Sequence, residues 1–289
     1  MPEALRGHLA MFLASALIAG SFPIGAAAAN DISPMALNAV RFVIAAGVIG
    51  VAVVLTGGVP RAALAAPWRY GVLGGVFGCY FVLMFEGLKT AAPVSAAAVF
   101  TLTPVMAAGF GWLLLRQISG ARILGALALG AVGALWVIFG GGDAEGAALG
   151  RGEAIYFAGC VAHALYTPLV RLLNRGERAV VFTFGTLVAG AVLLCTLGAP
   201  ALAATEWTTL PSRVWVAILY TAVAASAASF VLLQYATLRL PSSKVMAYTY
   251  LVPSWVIVWT LALGGGAPPL VQLGGVAVTA AALVLLLRD

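Results

Sequence analysis

Along this chain, apolar positions do not alternate with polar ones over short distances. They run on for about twenty residues at a time and are broken only by short stretches of Gly, Pro and charged residues. A bilayer core about 30 Å thick needs about 20 apolar residues per helix. On that measure the sequence predicts ten spans, at 8–28, 34–55, 69–88, 93–115, 120–140, 153–173, 179–198, 214–237, 243–263 and 269–287. The first run follows Arg6 and ends in Ala26-Ala27-Ala28-Ala29, a form that a cleaved signal peptide can also take. Nine further spans follow it, so it is read as a retained helix.

Composition narrows the picture. The chain has 289 residues, 63% apolar and only 8% charged, against roughly 25% charged in a soluble domain. A soluble enzyme or a nucleic-acid binder is excluded. The fifteen basic residues, despite a net charge of +6, are too scattered to form a phosphate-binding stripe. Their distribution instead sets orientation, because basic loops stay on the cytoplasmic side. With an inside N-terminus, eleven of the fifteen fall on inner segments: Arg6, Arg61, Arg69, Arg116, Arg122, Arg171, Arg175, Arg178, Arg239, Lys244 and Arg288. Lys89, Arg151 and Arg213 fall outside, and Arg41 lies within the second span. Ten spans bring both termini to the cytoplasmic face. Cys79, Cys160 and Cys195 lie far apart in apolar runs, so they suit neither a disulfide framework nor a CxxC metal site, and no cofactor or metal is expected.

A shift of 149 residues reveals an internal repeat. It lays Phe81-Val82-Leu83 on Phe230-Val231-Leu232, Pro104-Val105 on Pro253-Ser254, and Leu124-Gly125 on Leu273-Gly274. The halves divide at the polar, Gly-rich stretch 140–146, giving a first repeat at 1–141, an external linker at 142–152 and a second repeat at 153–289. Each half holds five spans. Five is odd, so the second copy enters the membrane with opposite orientation, and the expected fold is all-α, an inverted repeat of five plus five transmembrane helices.

These features resemble the drug/metabolite transporter superfamily, in its ten-helix EamA-type branch, along the whole chain. The matching pieces are Gly20-Ser21-Phe22-Pro23 in span one and Arg41-Phe42 in span two. Two Ala- and Ser-rich runs add to them, from Pro93 to Pro104-Val105-Met106 and from Ser242 to Pro253. The sequence departs from the family after spans four and nine, where Glu is frequent and this chain has Leu115-Arg116-Gln117 and Gly264-Gly265-Gly266. His163 stands near a place where the family favours Trp. A narrower likeness to the YddG-type amino-acid exporters implies export of amino acids, aromatic or broad-range, across a bacterial inner membrane.

Several residues are costly or informative where they fall. Mid-span prolines Pro23, Pro104, Pro168 and Pro253 each remove a backbone donor and free a carbonyl, which in a bilayer needs a partner or a wet cavity. They are expected to break or kink helices beside a cavity, or to bend them for packing. Gly71, Gly74, Gly75 and Gly78 form overlapping small-xxx-small pairs that suit close helix packing. Glu86 and Arg41 are charges inside the spans and need partners. Either they meet each other, or Glu86 pairs with Lys89 while Arg41 snorkels or binds helix-end carbonyls. Both, with Lys244 at the start of span nine, are candidate coupling or structural charges. His163, at the centre of span six, should face the bundle interior, as a buried neutral histidine or as a group that binds cargo or protons. Tyr248 and Tyr250 precede Pro253 where the first repeat has Val99 and Thr101, so the repeats differ where a site is expected. The expected substrate contacts are therefore His163, Tyr248 and Tyr250, then Tyr80, Phe100 and Thr101, in a central cavity bordered by spans one, three, four, six, eight and nine.

Three function classes compete. An intramembrane enzyme lacks HExxH, GxSxG and neighbouring membrane carboxylates, and a nucleotide-driven pump lacks a GxxxxGK(S/T) loop. A channel fits the composition, but mid-span breaks in an inverted repeat suit alternating access. The reading is a secondary transporter of small molecules, amino acids first and another metabolite or a nucleotide-sugar-like compound second, with the lipid bilayer as its other partner, no nucleic acid, and a monomer as the simplest state.

Overall fold

The computed structural model describes residues 3–118, 120–139 and 150–287, and among these every regular element is a helix. Ten helices are long and apolar enough to span a bilayer: α1 (Glu3–Ala28), α2 (Pro34–Leu55), α3 (Trp68–Gly87), α4 (Pro93–Leu115), α5 (Ala121–Phe139), α6 (Arg151–Leu173), α7 (Ala179–Leu197), α8 (Ser212–Thr237), α9 (Lys244–Ala262) and α10 (Leu270–Leu287). They match the ten runs of the sequence, except that α1 begins about a turn earlier. The stretch 140–149, which holds most of the expected external linker, and Arg288 of the basic count lie outside the described residues.

Large side chains point outward. Val54, Leu55 and Leu270 are 74%, 80% and 84% exposed, an arrangement that would drive aggregation in water and that hydrocarbon accommodates. Inside the bundle, several buried hydroxyls return their protons to carbonyls of their own helix: Thr186 to Phe182, Thr221 to Ala217, Ser229 to Ala225 and Thr237 to Leu233, at 2.6–2.9 Å. That satisfies a polar group where no water is available.

The packing has the exchange pattern of a two-fold relation between α1–α5 and α6–α10. Helix α3 packs on α6 and α7 while α8 packs on α1 and α2, and α2 pairs with α7 as α5 pairs with α10. At the last pair, a Cβ on Gly133 would lie 2.8 Å from the Gly275 carbonyl oxygen, and one on Gly275 would lie 2.7 Å from that of Gly133. Each glycine thus admits the other's backbone. Of the glycines expected to pack helices, Gly74 does so most tightly, against the backbone of Gly190 on α7.

The two ends of the bundle differ in charge. At one end Arg239 binds Glu3, Arg69 binds Glu177, and Arg178 donates to the carbonyls of Thr56 and Gly58. This basic end gathers the N-terminus and the α2–α3, α6–α7 and α8–α9 connections, so it is the cytoplasmic one and both termini belong to it. At the other end Arg213 pairs with Asp31, and the Asn30 amide donates to the Lys89 carbonyl.

Four spans are irregular. Helix α1 breaks at Gly20, between Glu3–Ala19 and Ser21–Ala28. Helix α4 breaks between Pro93–Phe100 and Thr103–Leu115, and α9 carries a 3-10 turn, Tyr248–Leu251, before Val252–Ala262. Pro104 and Pro253 hold the same place, second in the half-helix after the break, where a first-turn N–H has no acceptor within its own half-helix. The halves of α4 and α9 cross, the first half of each packing on the second half of the other. Helix α8 contains a π turn, Val223–Ala228. One expectation is corrected: Pro168 interrupts no element, since α6 is one helix from Arg151 to Leu173. A single lost hydrogen bond does not end a helix that a neighbour, here α3, flanks along its length.

Candidate functional site

The breaks are tied together across the two repeats. Pro104 leaves the Phe100 carbonyl without its helical donor, and the Thr103 hydroxyl takes it at 2.7 Å. The Thr103 hydroxyl also lies 3.3 Å from that of Thr249, next to the break in α9. In α1, the Leu17 carbonyl accepts the Tyr220 hydroxyl of α8 at 2.8 Å, and the Ala16 carbonyl accepts the Trp259 indole N–H of α9 at 3.0 Å. Gly20 makes this possible, because a Cβ there would fall 2.1 Å from the Tyr220 oxygen. The carbonyls of Phe100, Leu17 and Ala16 beside these breaks thus each have a side-chain donor, as an apolar solvent demands.

Beneath these breaks lies an aromatic cage centred on His163. The imidazole stacks on Phe77 (centroids 5.3 Å apart, planes at 17°) and touches Tyr80 at 4.5 Å and Phe100 at 4.9 Å. Phe77 stacks in turn on Tyr166 at 4.0 Å and meets Phe230 at 4.2 Å. The hydroxyls of Tyr80 and Tyr156 lie 3.0 Å apart, and the Gln234 amide donates to the Tyr166 hydroxyl at 2.9 Å. His163 Nδ1 is buried and has no hydrogen-bond partner among the described residues. The cage encloses a cavity of only about 10 Å³, walled by α1, α3, α6 and α8 through Ser21, Phe77, Tyr80, His163 and Phe230, among others. That is scarcely one water's worth of room, so the cage is closed at its centre. Larger clefts lie toward the two ends of the bundle, with no lining residue in common with the cage: about 310 Å³ at the cytoplasmic end beside Gln117, Arg171 and Pro241, and about 430 Å³ at the outer end beside Pro23, Arg213 and Thr260.

Of the expected site residues, His163, Tyr80 and Phe100 are brought together. Thr101 is buried nearby in sequence, but its hydroxyl is used by the Ala98 carbonyl at 2.6 Å. Tyr248 and Tyr250 lie elsewhere. The 3-10 turn aims the Tyr248 hydroxyl at His8 Nδ1, 3.0 Å away, and turns Tyr250 onto α5, where its hydroxyl donates to the Leu127 carbonyl at 3.2 Å. Among the described residues, none of α9 walls the small cavity. Glu86 pairs with Lys89 at 2.7 Å rather than with Arg41, and Lys244 lies at the start of α9. Arg41 does not snorkel. It is fully buried, its Nε donating to the Ser226 hydroxyl at 2.7 Å and its guanidinium carbon lying 3.5 Å from the centre of the Phe81 ring.

Sequence reasoning missed Phe77, Tyr156, Tyr166 and Phe230 as members of the cage. One signal was available: the repeat that aligns Phe81 with Phe230 also brings them together, with rings at 5.8 Å and 13°. An aromatic conserved between inverted repeats near their axis is a place where the copies meet.

An all-helical bundle of inverted five-helix repeats, with spans interrupted around a closed central cage, is the architecture of a membrane transporter. The EamA-like transporter family model matches residues 5–139 and 150–288, once for each repeat, and the chain belongs to that family. It is also similar to the uncharacterized transporter YyaM of Bacillus subtilis (strain 168), at 29% identity over 238 residues, covering 80% of this chain and 77% of that one. A solved crystal structure shares the fold at a TM-score of 0.74 and 21% identity, covering 98% of this chain and 95% of the other.

Proposed function

We propose that this transporter exports amino acids across a bacterial inner membrane by alternating access around the His163 cage, acting as a monomer and without a cofactor. The observation that carries the reading is the unpartnered Nδ1 of His163, held among aromatic rings where four spans of both repeats meet. A buried polar atom without a partner costs free energy that a ligand would recover. The surrounding rings offer an apolar body and cation-attracting faces, which suit the side chain and ammonium group of an amino acid. Closure of the cage at its centre favours a carrier over a continuous pore. Another small metabolite is the second reading, favoured by the same rings if the cargo lacks an amino group.

The test is uptake by purified protein in liposomes against labelled amino acids, sugars and organic cations. Amino acids with large apolar side chains are expected to be moved, and His163→Ala is expected to slow them about tenfold or more, the worth of a buried hydrogen bond to a charged group, while insertion and folding persist. Transport of sugars or cations alone would overturn the cargo, and an unaltered His163→Ala variant would overturn the site.

A further inference from the structure

We infer that Arg41 is a carboxylate subsite for the cargo, screened from the cage in this conformation by Phe81 and Ala225. The inference rests on the reading of the cage as the cargo site. A guanidinium offers five N–H donors. Those of Arg41 reach the Ser226 hydroxyl at 2.7 Å, and the Asn38 side-chain oxygen and Ala225 carbonyl only at 3.4 Å, which leaves two without an acceptor among the described residues. None of the ion pairs among those residues includes Arg41, though its side chain is fully buried. Neutral dipoles and one ring face soften such a charge but do not neutralise it, and a buried charge without a counterion is costly.

Its surroundings adjoin the cage directly. Ala225 and Phe81 hold the guanidinium and also wall the small cavity next to Tyr80 and His163. Both Ala225 and Ser226 lie in the π turn of α8, whereas the matching segment of α3, 74–79, is ordinary α-helix. The irregularity is thus confined to the copy that faces Arg41, and π turns concentrate at functional sites. Rotation of the Phe81 side chain as the cage opens would present the free N–H groups to a bound molecule. A carboxylate matches them, since its two oxygens accept paired bonds from the guanidinium edge. The ring cluster would hold the rest of the cargo. The substrate class is then a carboxylate with an apolar or aromatic body, rather than an amine, amide or sugar.

The test measures ligand-dependent thermal stabilisation of the purified full chain with phenylalanine, phenylalaninamide, 3-phenylpropionate and phenethylamine. The parent protein should respond to the two carboxylates at concentrations at least about tenfold lower than to the amide and amine, the scale of a charge-assisted bond. Arg41→Gln should erase that ratio and Arg41→Lys should keep part of it, which a purely structural role would not produce. Equal response to phenylalanine and its amide would overturn the subsite and leave the amino-acid reading intact. Response to 3-phenylpropionate without phenylalanine would keep the subsite and overturn the amino-acid cargo. A preserved ratio in Arg41→Gln would overturn the assignment to Arg41, and silence toward all four would overturn both readings.

Discussion

Two ion pairs, one at each end of the bundle, occupy equivalent places in the inverted repeat and differ in nearly everything else. Arg69 is the second residue of α3 and Arg213 the second of α8. Their partners, Glu177 and Asp31, lie in the connection between the first two helices of the opposite repeat. Each pair therefore clasps one repeat to the other, Arg69 to Glu177 on the cytoplasmic face and Arg213 to Asp31 outside. The inner pair is 2.6 Å long with side chains 1% and 7% exposed, and Arg69 also donates to the Leu173 and Ala66 carbonyls. The outer pair is two-pronged, at 2.6 and 2.9 Å, but its Arg213 side chain is 57% exposed. One topology thus yields a dry clasp and a wet one. Water competes for the outer pair and not for the inner, so the inner pair is the costlier of the two to break.

The largest effect should come from breaking the inner clasp. Glu177→Gln leaves a buried guanidinium uncompensated, a loss of about 3–5 kcal/mol for pairs of this kind, and thermal unfolding in detergent should begin several degrees lower. Asp31→Asn should move that transition by far less. Equal shifts would erase the distinction between the clasps.

Acid gives a smaller and graded effect. Burial alone would raise the Glu177 carboxyl, but hydrogen bonds from Arg69 and from the Arg175 backbone N–H outweigh it and hold the group below the ordinary carboxylate range. The hydrogen bond from Arg213 does the same to Asp31. A carboxyl lowered on folding contributes stability above its unfolded pKa and loses it as pH falls through the lowered folded value. The stability gap between the parent and Glu177→Gln should therefore be constant at neutral pH and close only below the ordinary carboxylate range. A gap that closes near pH 7 would contradict the geometry of the pair.

Salt should have the smallest effect and sharpen the contrast further. Raising ionic strength screens exposed charges and leaves buried ones nearly untouched. The slight destabilisation by Asp31→Asn should vanish in high salt, while that by Glu177→Gln persists.

How much of this was legible beforehand follows from what each feature requires. The ten spans could be read because a bilayer imposes one length on every crossing, and the repeat because Pro104 and Pro253 keep the same place beside a break. Sidedness followed from the basic residues, and the structure gathers Arg6, Arg69, Arg178 and Arg239 at one end. The cage was only partly legible. His163 could be found from its depth, but Phe77 and Tyr166 look like any other membrane aromatics until the rotation of α3 and α6 is known. Tyr248 and Tyr250 were misdirected by a 3-10 turn, which rotates successive side chains by more than an α-helix does. The π turn that delivers Ser226 to Arg41 has no pattern of residues to announce it. The clasps required both the repeat and the pairing of distant loops, and neither Arg69 nor Arg213 stands out as a charge at a helix end.

The central claim is that one closed cage is reached alternately from two sides. Its most direct measurement places a single cysteine on the cage wall, Ser21→Cys, after removal of Cys79, Cys160 and Cys195, and labels it with membrane-impermeant thiol reagents in right-side-out and inside-out vesicles. Adding Glu177→Gln should make the site label faster from the cytoplasmic side only, and adding Arg213→Ala should favour labelling from the outside. Simultaneous access from both sides in either variant, or the opposite sidedness, would contradict the account.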